Sequence, residues 1–262
     1  MSNRNDLCFC GSGKKTKKCH PNITNNSAFA ELIRIGKGID KSVEENKNSK
    51  VPCQKGCSAC CSENFSILPI EFFYIMSEII DKDRELAWDI LDRGNKIWLK
   101  FKEDYKELSK GLENNNENVD EVIKSDINFL QTVAYYEPCV FLDEESQTCS
   151  VYNNRPIVCR YHGVGYIEQF DGDKLVFCEK TKDGIDIQNL TDLTQYGKGI
   201  KSIGIYETSN NEIMMERTYT MFYFCKIYVD NHEGLLAKIE EFRNFSLKQI
   251  ADIKLRRYMS RH

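Results

Sequence analysis

The chain has 262 residues, of which 41% are hydrophobic, and its net charge is −4. This length suits one large domain or two unequal ones, and the apolar content is sufficient for a buried core, which excludes a disordered chain as the default. The mild charge excludes no class of partner. No run of eighteen apolar residues occurs, and the first twenty residues contain no apolar signal segment. We therefore expect a soluble, cytoplasmic protein with no membrane partner.

Cysteine is the residue that this chain uses most unusually. Twelve residues are cysteine, and most of them fall in clusters. In a reducing cytoplasm disulfides are rare, and clustered cysteines more often bind a metal. We therefore expect a metal-binding protein in which each cluster is a candidate site.

The first cluster lies within the amino-terminal twenty residues. Its spacing is C-x-C-x8-C-H, formed by Cys8, Cys10, Cys19 and His20. Three thiolates and one imidazole make the tetrahedral set that a structural Zn²⁺ prefers. So short a segment cannot bury a core, so the ion would supply the folding energy. We predict a zinc knuckle over residues 1–22.

The knuckle is also basic. Residues 1–20 carry five basic residues against one acidic residue, and four of the basic ones are Lys14, Lys15, Lys17 and Lys18. A basic segment on an acidic body suggests an anionic partner, such as a nucleic acid or an acidic protein surface. Lysines that only keep the loop solvated are an equally good interpretation.

These residues resemble the SEC-C motif, a small zinc-binding element found in many bacterial preprotein-translocase ATPases. The shared pattern is Cys-x-Cys-Gly-Ser-Gly-Lys-Lys followed by Cys-His, over residues 5–21. The resemblance implies that Cys8, Cys10, Cys19 and His20 are the ligands. It also implies docking to a chaperone or a ribosomal partner.

A helix is predicted after the knuckle. Ser27 is a candidate N-cap, and an apolar stripe follows it from Ala28 to about Glu45. We interpret residues 23–50 as a linker with this helix, and residues 51–262 as a cysteine-cluster domain.

The second cluster, called here the first cysteine group, begins this domain. It consists of Cys53, Cys57, Cys60 and Cys61. Neighbours in a regular helix diverge by about 100°, so Cys60 and Cys61 cannot both reach one ion from a helix. Either one of them serves a second ion, or the backbone here is irregular.

Helical spacing dominates the next stretch. Pro69 opens a helix that ends near Ile80, and two further helices are predicted over 84–112 and 119–136. Their apolar residues are interpreted as core packing.

The second cysteine group follows, with Cys139, Cys149, Cys159 and Cys178. A hairpin of 140–142 with 149–152 is predicted to place the first two. Pro156 suits the first turn of a short helix that presents Cys159. Arg155 and Arg160 flank it and would lower the thiol pKa values.

Both groups together resemble the YkgJ-type cysteine-cluster family, also known by the pattern CxxCxxCC, which is expected to chelate zinc or iron. The shared blocks are Cys-x2-Cys-Cys, Cys-x-Phe-Leu-Asp, Cys-x-x-Tyr and Arg-Pro-x-x-Cys-Arg, with Val140 and Val151 as small departures. The resemblance covers about residues 50–180. It implies as ligands Cys53, Cys57, Cys60, Cys61, Cys139, Cys149 and Cys159, and more loosely Cys178.

Two further residues need an interpretation. His162 lies three residues after Cys159 and is a candidate ligand, although sulfur alone suffices for such a site. Cys225 has no partner nearby in sequence and is interpreted as a core thiol.

The carboxyl-terminal third has weaker signals. We predict a hairpin of 164–170 with 174–177, a short helix over 190–196, a strand over 200–206, and helices over 213–228 and 231–258. The whole chain is thus predicted to be a mostly α-helical α+β protein with small β-hairpins.

Three functions fit these observations. The first is a protein that holds structural zinc in the knuckle and an iron–sulfur cluster, or zinc or iron, in the cysteine domain. The second is an iron–sulfur enzyme. Cys53-x3-Cys57-x2-Cys60 has the spacing of the cluster-binding motif of radical S-adenosylmethionine enzymes. Flagellin lysine N-methylases share a similar cysteine pattern. However, the helices that follow lack the strand–helix alternation of a barrel. The third is an adaptor that docks through its knuckle.

Overall fold

A computed structural model of the chain describes residues 5–48, 51, 53–63, 65–113, 137–168, 178 and 187–260. The predicted helix over 119–136 lies outside these residues. The described helices are α1 (Thr16–Cys19), α2 (Ala28–Glu45), α3 (Pro69–Ile80), α4 (Arg84–Asp104), α5 (Lys106–Glu113), α6 (Ile157–Tyr161), α7 (Gly197–Gly204), α8 (Met221–Tyr228), α9 (His232–Asn244) and α10 (Leu247–Met259).

The strands are short and pair two by two. Antiparallel pairs join β1 (Ser66–Ile67) to β8 (Tyr219–Thr220), β2 (Leu142–Asp143) to β3 (Thr148–Cys149), and β6 (Ile205–Glu207) to β7 (Ile213–Met215). A parallel pair joins β4 (Gly165–Tyr166) to β5 (Thr191–Asp192). The prediction of a mostly helical α+β fold is confirmed.

Helix α2 begins and ends as predicted. The Ser27 hydroxyl accepts a hydrogen bond from the backbone N–H of Ala30, which satisfies one of the free donors of the first turn. The apolar stripe of the helix is buried, and the ring of Phe29 packs 5.6 Å from Tyr74 and 5.9 Å from Phe242. The helix is therefore part of the main hydrophobic core. The division of the chain into domains stays a prediction.

Helix α3 also has the predicted bounds. Pro69 occupies the first turn, where its missing N–H costs nothing. The carboxylate of Glu71 accepts a hydrogen bond of 2.8 Å from the backbone N–H of Leu68, which closes the helix start. Phe72 stacks on Phe224 at 4.8 Å and fixes α3 against α8.

Helices α4 and α8 cross closely at the centre of the core. The aromatic side chains Trp98 and Phe101 of α4 pack against Phe222 and Tyr223 of α8 at ring distances of 5.0 to 6.5 Å. The closest approach is at Gly94, because a methyl group there would lie 2.4 Å from the Cβ and Sγ atoms of Cys225. Cys225 is fully buried, which confirms its interpretation as a core thiol.

Two long predicted helices are each interrupted. The helix over 84–112 breaks at Tyr105, between α4 and α5. The helix over 231–258 breaks at Phe245, and Ser246 caps a new helix by accepting from the backbone N–H of Gln249. Apolar spacing continues across both breaks, which is why periodicity alone did not reveal them.

Three predictions in the last third were wrong. The strand over 200–206 is mostly α7, and only its end enters β6. The helix over 213–228 begins as β7 and β8 and becomes helical at Met221. The helix over 190–196 is the strand β5 followed by one 3₁₀ turn at Thr194–Tyr196. Strands β5 and β8 pair with the distant segments β4 and β1, which the local pattern does not contain. Strands β6 and β7 form a hairpin with each other.

The two predicted hairpins have different outcomes. The hairpin around residue 145 is confirmed with shorter strands, and its register pairs Leu142 with Cys149. The first strand of the second predicted hairpin contains β4, which pairs in parallel with β5. The other strand of that prediction, over 174–177, lies outside the described residues, so this hairpin stays a prediction.

No helix in the described part of the chain combines the length and the apolar character needed to cross a membrane.

The approach of α4 to α8 gives a stability prediction. Gly94→Ala should destabilise the fold by about 1–3 kcal/mol through overpacking, and the helix-propensity gain of about 1 kcal/mol offsets only part of this. The measurement is urea unfolding followed by circular dichroism.

Gly199→Ala is the matched control. Its new methyl group would meet only the flexible Ile35 side chain, at 3.3 Å, so this variant should be nearly neutral. Equal stability of both variants would contradict the close approach.

Candidate metal centre

The knuckle brings its four predicted ligands together. The Sγ atom of Cys8 lies 3.1 Å from Nδ1 of His20, and the Sγ atoms of Cys10 and Cys19 are 3.5 Å apart. All four ligand atoms lie within 4.8 Å of one another. Tetrahedral zinc with Zn–S bonds of about 2.3 Å needs ligand atoms about 3.5–3.8 Å apart. The donor set therefore fits Zn²⁺.

Backbone turns create this arrangement. Gly11 and Gly13 have φ values of 75° and 72°, which only glycine adopts without strain. The backbone N–H of Cys8 donates to the carbonyl of Lys14 at 2.8 Å, so the chain returns on itself. Helix α1 then presents Cys19 to the pair Cys8 and Cys10.

The electrostatics of the knuckle suit a bound cation. Burial raises the pKa of Cys8 to about 12. Burial also acts on Cys10, but hydrogen bonds from the Ser12 hydroxyl and backbone outweigh it and lower the pKa of that thiol. Burial lowers the pKa of His20, which favours the neutral imidazole that binds metal.

The knuckle is seated on the main body of the protein. The guanidinium of Arg34 on α2 lies 5.6 Å from the centre of the Phe9 ring, which stacks on His20. The backbone N–H of Thr24 donates to the carbonyl of Arg243 at 3.0 Å. The knuckle thus contacts α2, and the segment that follows the knuckle is hydrogen-bonded to α9.

The two cysteine groups meet at one cavity of about 370 Å³, called here the thiol cavity. Seven of the eight predicted cysteines line it: Cys53, Cys57, Cys60, Cys61, Cys139, Cys149 and Cys159. Apolar side chains, among them Phe65, Phe141 and Val151, form much of the remaining wall. The arrangement joins residues that are up to about a hundred positions apart in the sequence.

The first cysteine group is not on a regular helix. Cys60 and Cys61 lie in a 3₁₀ turn, Ala59–Ser62, and both line the cavity. A hydrogen bond between the two thiols is the main cause that raises the pKa of Cys60, followed by burial. The backbone at this adjacent pair is therefore not α-helical, which was one of the two explanations considered for it.

A backbone hydrogen bond connects the two groups directly. The N–H of Cys139 donates to the carbonyl of Cys61 at 2.7 Å. The Sγ atom of Cys139 also lies 3.7 Å from Sδ of Met221, at the start of α8. The hairpin then places Cys149, and α6 places Cys159. Pro156 is the N-cap of α6, one residue earlier than predicted.

Burial is the main cause that raises the pKa of four cavity thiols. The pKa rises to about 11 for Cys53 and about 12 for Cys139, and it is also raised for Cys149 and Cys159. A negative charge on Cys60 raises the pKa of all four further, so Cys60 is electrostatically central. Several thiolates cannot persist here without a cation that compensates them.

The two arginines have a more specific role than predicted. Arg155 lowers the pKa of Cys53 and Cys149, but burial outweighs this effect. Arg155 and the buried Arg160 both form ion pairs with Asp40 of α2, at 3.3 Å and 2.5 Å. Their main function in this arrangement is to fix α6 against α2.

A buried carboxylate fixes the other side of α6. Oε1 of Glu71 accepts a hydrogen bond of 2.7 Å from the backbone N–H of Ile157, the first residue of α6. Burial raises the pKa of Glu71. One side chain therefore closes the start of α3 and the start of the helix that carries Cys159.

Cys178 is placed differently from the other seven. It is buried, it is not among the residues that line the thiol cavity, and its charge affects Cys53. Its Sγ atom lies within 4.8 Å of ligand atoms of Glu63 and His162. His162, a candidate ligand from the sequence, is thus close to the sulfur of Cys178.

Sequence reasoning missed three acidic residues of this region. Glu71 had a usable signal, since a glutamate two residues after a helix-opening proline is typical of a helix start. Glu63 follows Cys60 by three residues, the same spacing that separates His162 from Cys159. Asp40 had no local signal, because its partners belong to a distant segment.

The knuckle and the thiol cavity together define a class of protein that chelates metal through cysteine. Residues 52–179 match the family model CxxCxxCC, described as "Putative zinc- or iron-chelating domain", and residues 4–20 match the SEC-C motif. Residues 52–179 therefore form a CxxCxxCC domain, here preceded by a SEC-C motif. The resemblances to these two patterns are confirmed. Neither the curated proteins nor the solved structures contain a significant match to the chain.

The raised thiol pKa values predict how metal binding depends on pH. Because Cys53 and Cys139 have pKa values of about 11 and 12, they are protonated near neutral pH until a metal displaces the protons. Binding should release protons, and affinity should fall about tenfold per pH unit for each proton displaced. Calorimetry in two buffers of different ionisation enthalpy measures this release. Binding without proton release between about pH 6 and 8 would contradict it.

Proposed function

We propose that the thiol cavity holds an iron–sulfur cluster and that the knuckle holds a structural zinc ion. The observation that carries this proposal is the convergence of seven thiols on one cavity. In the described residues, two groups of ligand atoms converge at the spacing of a single ion, and the seven cavity thiols belong to neither. The ligands of a cluster lie farther apart, because iron and sulfide atoms separate them.

The number of thiols and the size of the cavity support the same conclusion. A tetrahedral ion uses four ligands, whereas seven cysteines surround this cavity. Its volume of about 370 Å³ is more than ten times the roughly 30 Å³ that a water molecule occupies in the liquid. A polynuclear centre uses both the sulfur and the space.

The chemistry of the walls also suits a cluster. All seven thiols are free and half-buried, and apolar side chains such as Phe65 and Phe141 form part of the wall beside polar and charged ones. Thiolate ligands, burial and nearby positive charge are the features by which proteins set the stability and potential of such clusters. Arg155 supplies a positive charge beside Cys53 and Cys149. Such free thiols suit the reducing cytoplasm that we propose as its location.

Two zinc ions in the same cavity are the competing outcome, because thiolate does not by itself choose between zinc and an iron–sulfur cluster. The test is anaerobic purification of the full chain, with iron, acid-labile sulfide and zinc measured per chain and a visible spectrum recorded. We expect a brown protein with several iron atoms and one knuckle zinc. A colourless protein whose thiol cavity contains zinc would overturn the cluster.

A substitution locates the centre. Cys159→Ser should lower the bound iron to a small fraction of the wild-type content while zinc in the knuckle remains, because Cys159 is fixed at the cavity by α6. Cys225→Ser is the matched control, since Cys225 is a buried core thiol at the crossing of α4 and α8. Equal iron loss in both variants would indicate a folding defect and not a ligand.

We further propose that the knuckle docks to an anionic partner, with the ribosome as the first to test. The support is that Lys14, Lys15, Lys17 and Lys18 are all exposed while the ligands beneath them are at least partly buried. Cosedimentation with ribosomes at a series of salt concentrations is the measurement. Each lysine that contacts phosphate should contribute about one unit to the salt slope.

The variant Lys14→Glu/Lys15→Glu should weaken this binding and flatten its salt dependence. Lys198→Glu/Lys248→Glu is a control with the same charge change at exposed positions outside the knuckle. It is preferable to removing the knuckle, because the segment that follows it is bonded to α9 through Thr24. Identical binding of the two double variants would refute docking through the knuckle.

A further inference from the structure

We infer that Glu63, His162 and Cys178 form a separate metal site at the edge of the thiol cavity, for a divalent ion of borderline softness such as Zn²⁺ or Fe²⁺. One carboxylate oxygen, one imidazole nitrogen and one thiol sulfur lie within 4.8 Å of one another. This inference does not depend on a cluster in the thiol cavity, since none of its three ligands is among the seven cavity thiols.

The imidazole is the first indication. The side chain of His162 is only 5% exposed. Its Nε2 atom lies 3.2 Å from Oε2 of Glu63, yet no hydrogen bond of acceptable geometry reaches it from any described residue. Buried polar atoms are almost always paired, so one aimed at two further ligand atoms requires an explanation. A metal ion between the three would satisfy it.

The scaffold that positions the cavity thiols also positions two of these ligands. Glu63 follows the turn that carries Cys60, and its backbone N–H donates to the carbonyl of Cys60 at 3.1 Å. His162 ends the helix that carries Cys159, and its N–H donates to the carbonyl of Val158 at 2.9 Å. Each ligand is therefore held three residues after a cavity thiol, on a backbone that is already fixed.

The donor set defines the kind of ion. Oxygen, nitrogen and sulfur together suit zinc and ferrous iron better than the hard cations Mg²⁺ and Ca²⁺, which prefer oxygen alone. Three protein ligands leave a fourth position for water or a ligand, which is the pattern of reactive zinc sites and not of structural ones. Glu63 and His162 line the thiol cavity, so this position is accessible from it.

The surroundings of the site limit its other interactions. The ring of Phe65 stands edge-on to His162, with the ring centres 4.8 Å apart. This apolar contact restrains the imidazole and reduces the number of waters that can compete for Nε2. The alternative is a simple contact between Glu63 and His162 beside a buried thiol, which would bind no ion.

The experiment counts zinc and iron in full-length variants purified as for the wild type. Glu63→Gln keeps the shape of the side chain but weakens its donor, and the side chain is 32% exposed, so the variant should fold. His162→Gln removes the imidazole. Each should lose one zinc or ferrous ion per chain, while the knuckle zinc and the metal of the thiol cavity remain. His232→Gln, which alters a histidine stacked on Trp88, is the matched control and should lose none.

Each outcome either supports or overturns the separate metal site. Near-ultraviolet circular dichroism identifies the folded variants, and Glu63→Gln alone suffices if His162→Gln does not fold. Wild-type metal content in a folded Glu63→Gln protein, confirmed by an unchanged zinc affinity in a chelator competition, would overturn the site. Failure of the cluster proposal has a different result, because the wild-type protein itself would then contain no acid-labile sulfide.

Discussion

The structure depends on the contacts that hold seven thiols around one cavity. Burial raises the pKa values of Cys53, Cys139, Cys149 and Cys159, and none of the described cysteines forms a disulfide that could hold the walls in place. The walls are instead fixed by contacts behind them. The hydrogen bond from Cys139 to Cys61 joins the two cysteine groups, and Glu71 and Asp40 hold α6 from opposite sides. These contacts fix the walls through groups that are not candidate ligands, which limits the ordering that metal binding must supply.

The fold could be predicted from the sequence where local signals determine it. The cap at Ser27 and the proline at Pro69 marked α2 and α3 correctly, because helix ends have their own chemistry. The segments over 200–206 and 213–228 were assigned incorrectly. Within the second of these segments, Tyr219–Thr220 pairs with Ser66–Ile67, which the local pattern does not contain. The breaks at Tyr105 and Phe245 were missed for a related reason, since apolar spacing persists through them.

The candidate site shows the same division. Every residue at the knuckle and seven of the eight cysteines of the domain were located by spacing and by motif, because ligand chemistry constrains residue type directly. The arginines were recognised, but their partner Asp40 was not, because an ion pair between residues more than a hundred positions apart has no local signature. Cys178 was assigned to the metal site from the sequence, and this stays a prediction. Its proximity to Glu63 and His162 required the tertiary structure.

Helix α2 contacts residues of both the knuckle and the thiol cavity. Arg34 contacts the knuckle at Phe9, and Asp40, six residues later, holds the arginines at the thiol cavity. Six residues of helix span about 9 Å, and a buried helix of this length is stiff. The zinc-binding segment and the cysteine domain thus pack against the same helix. Loss of this helix would therefore disturb both sites.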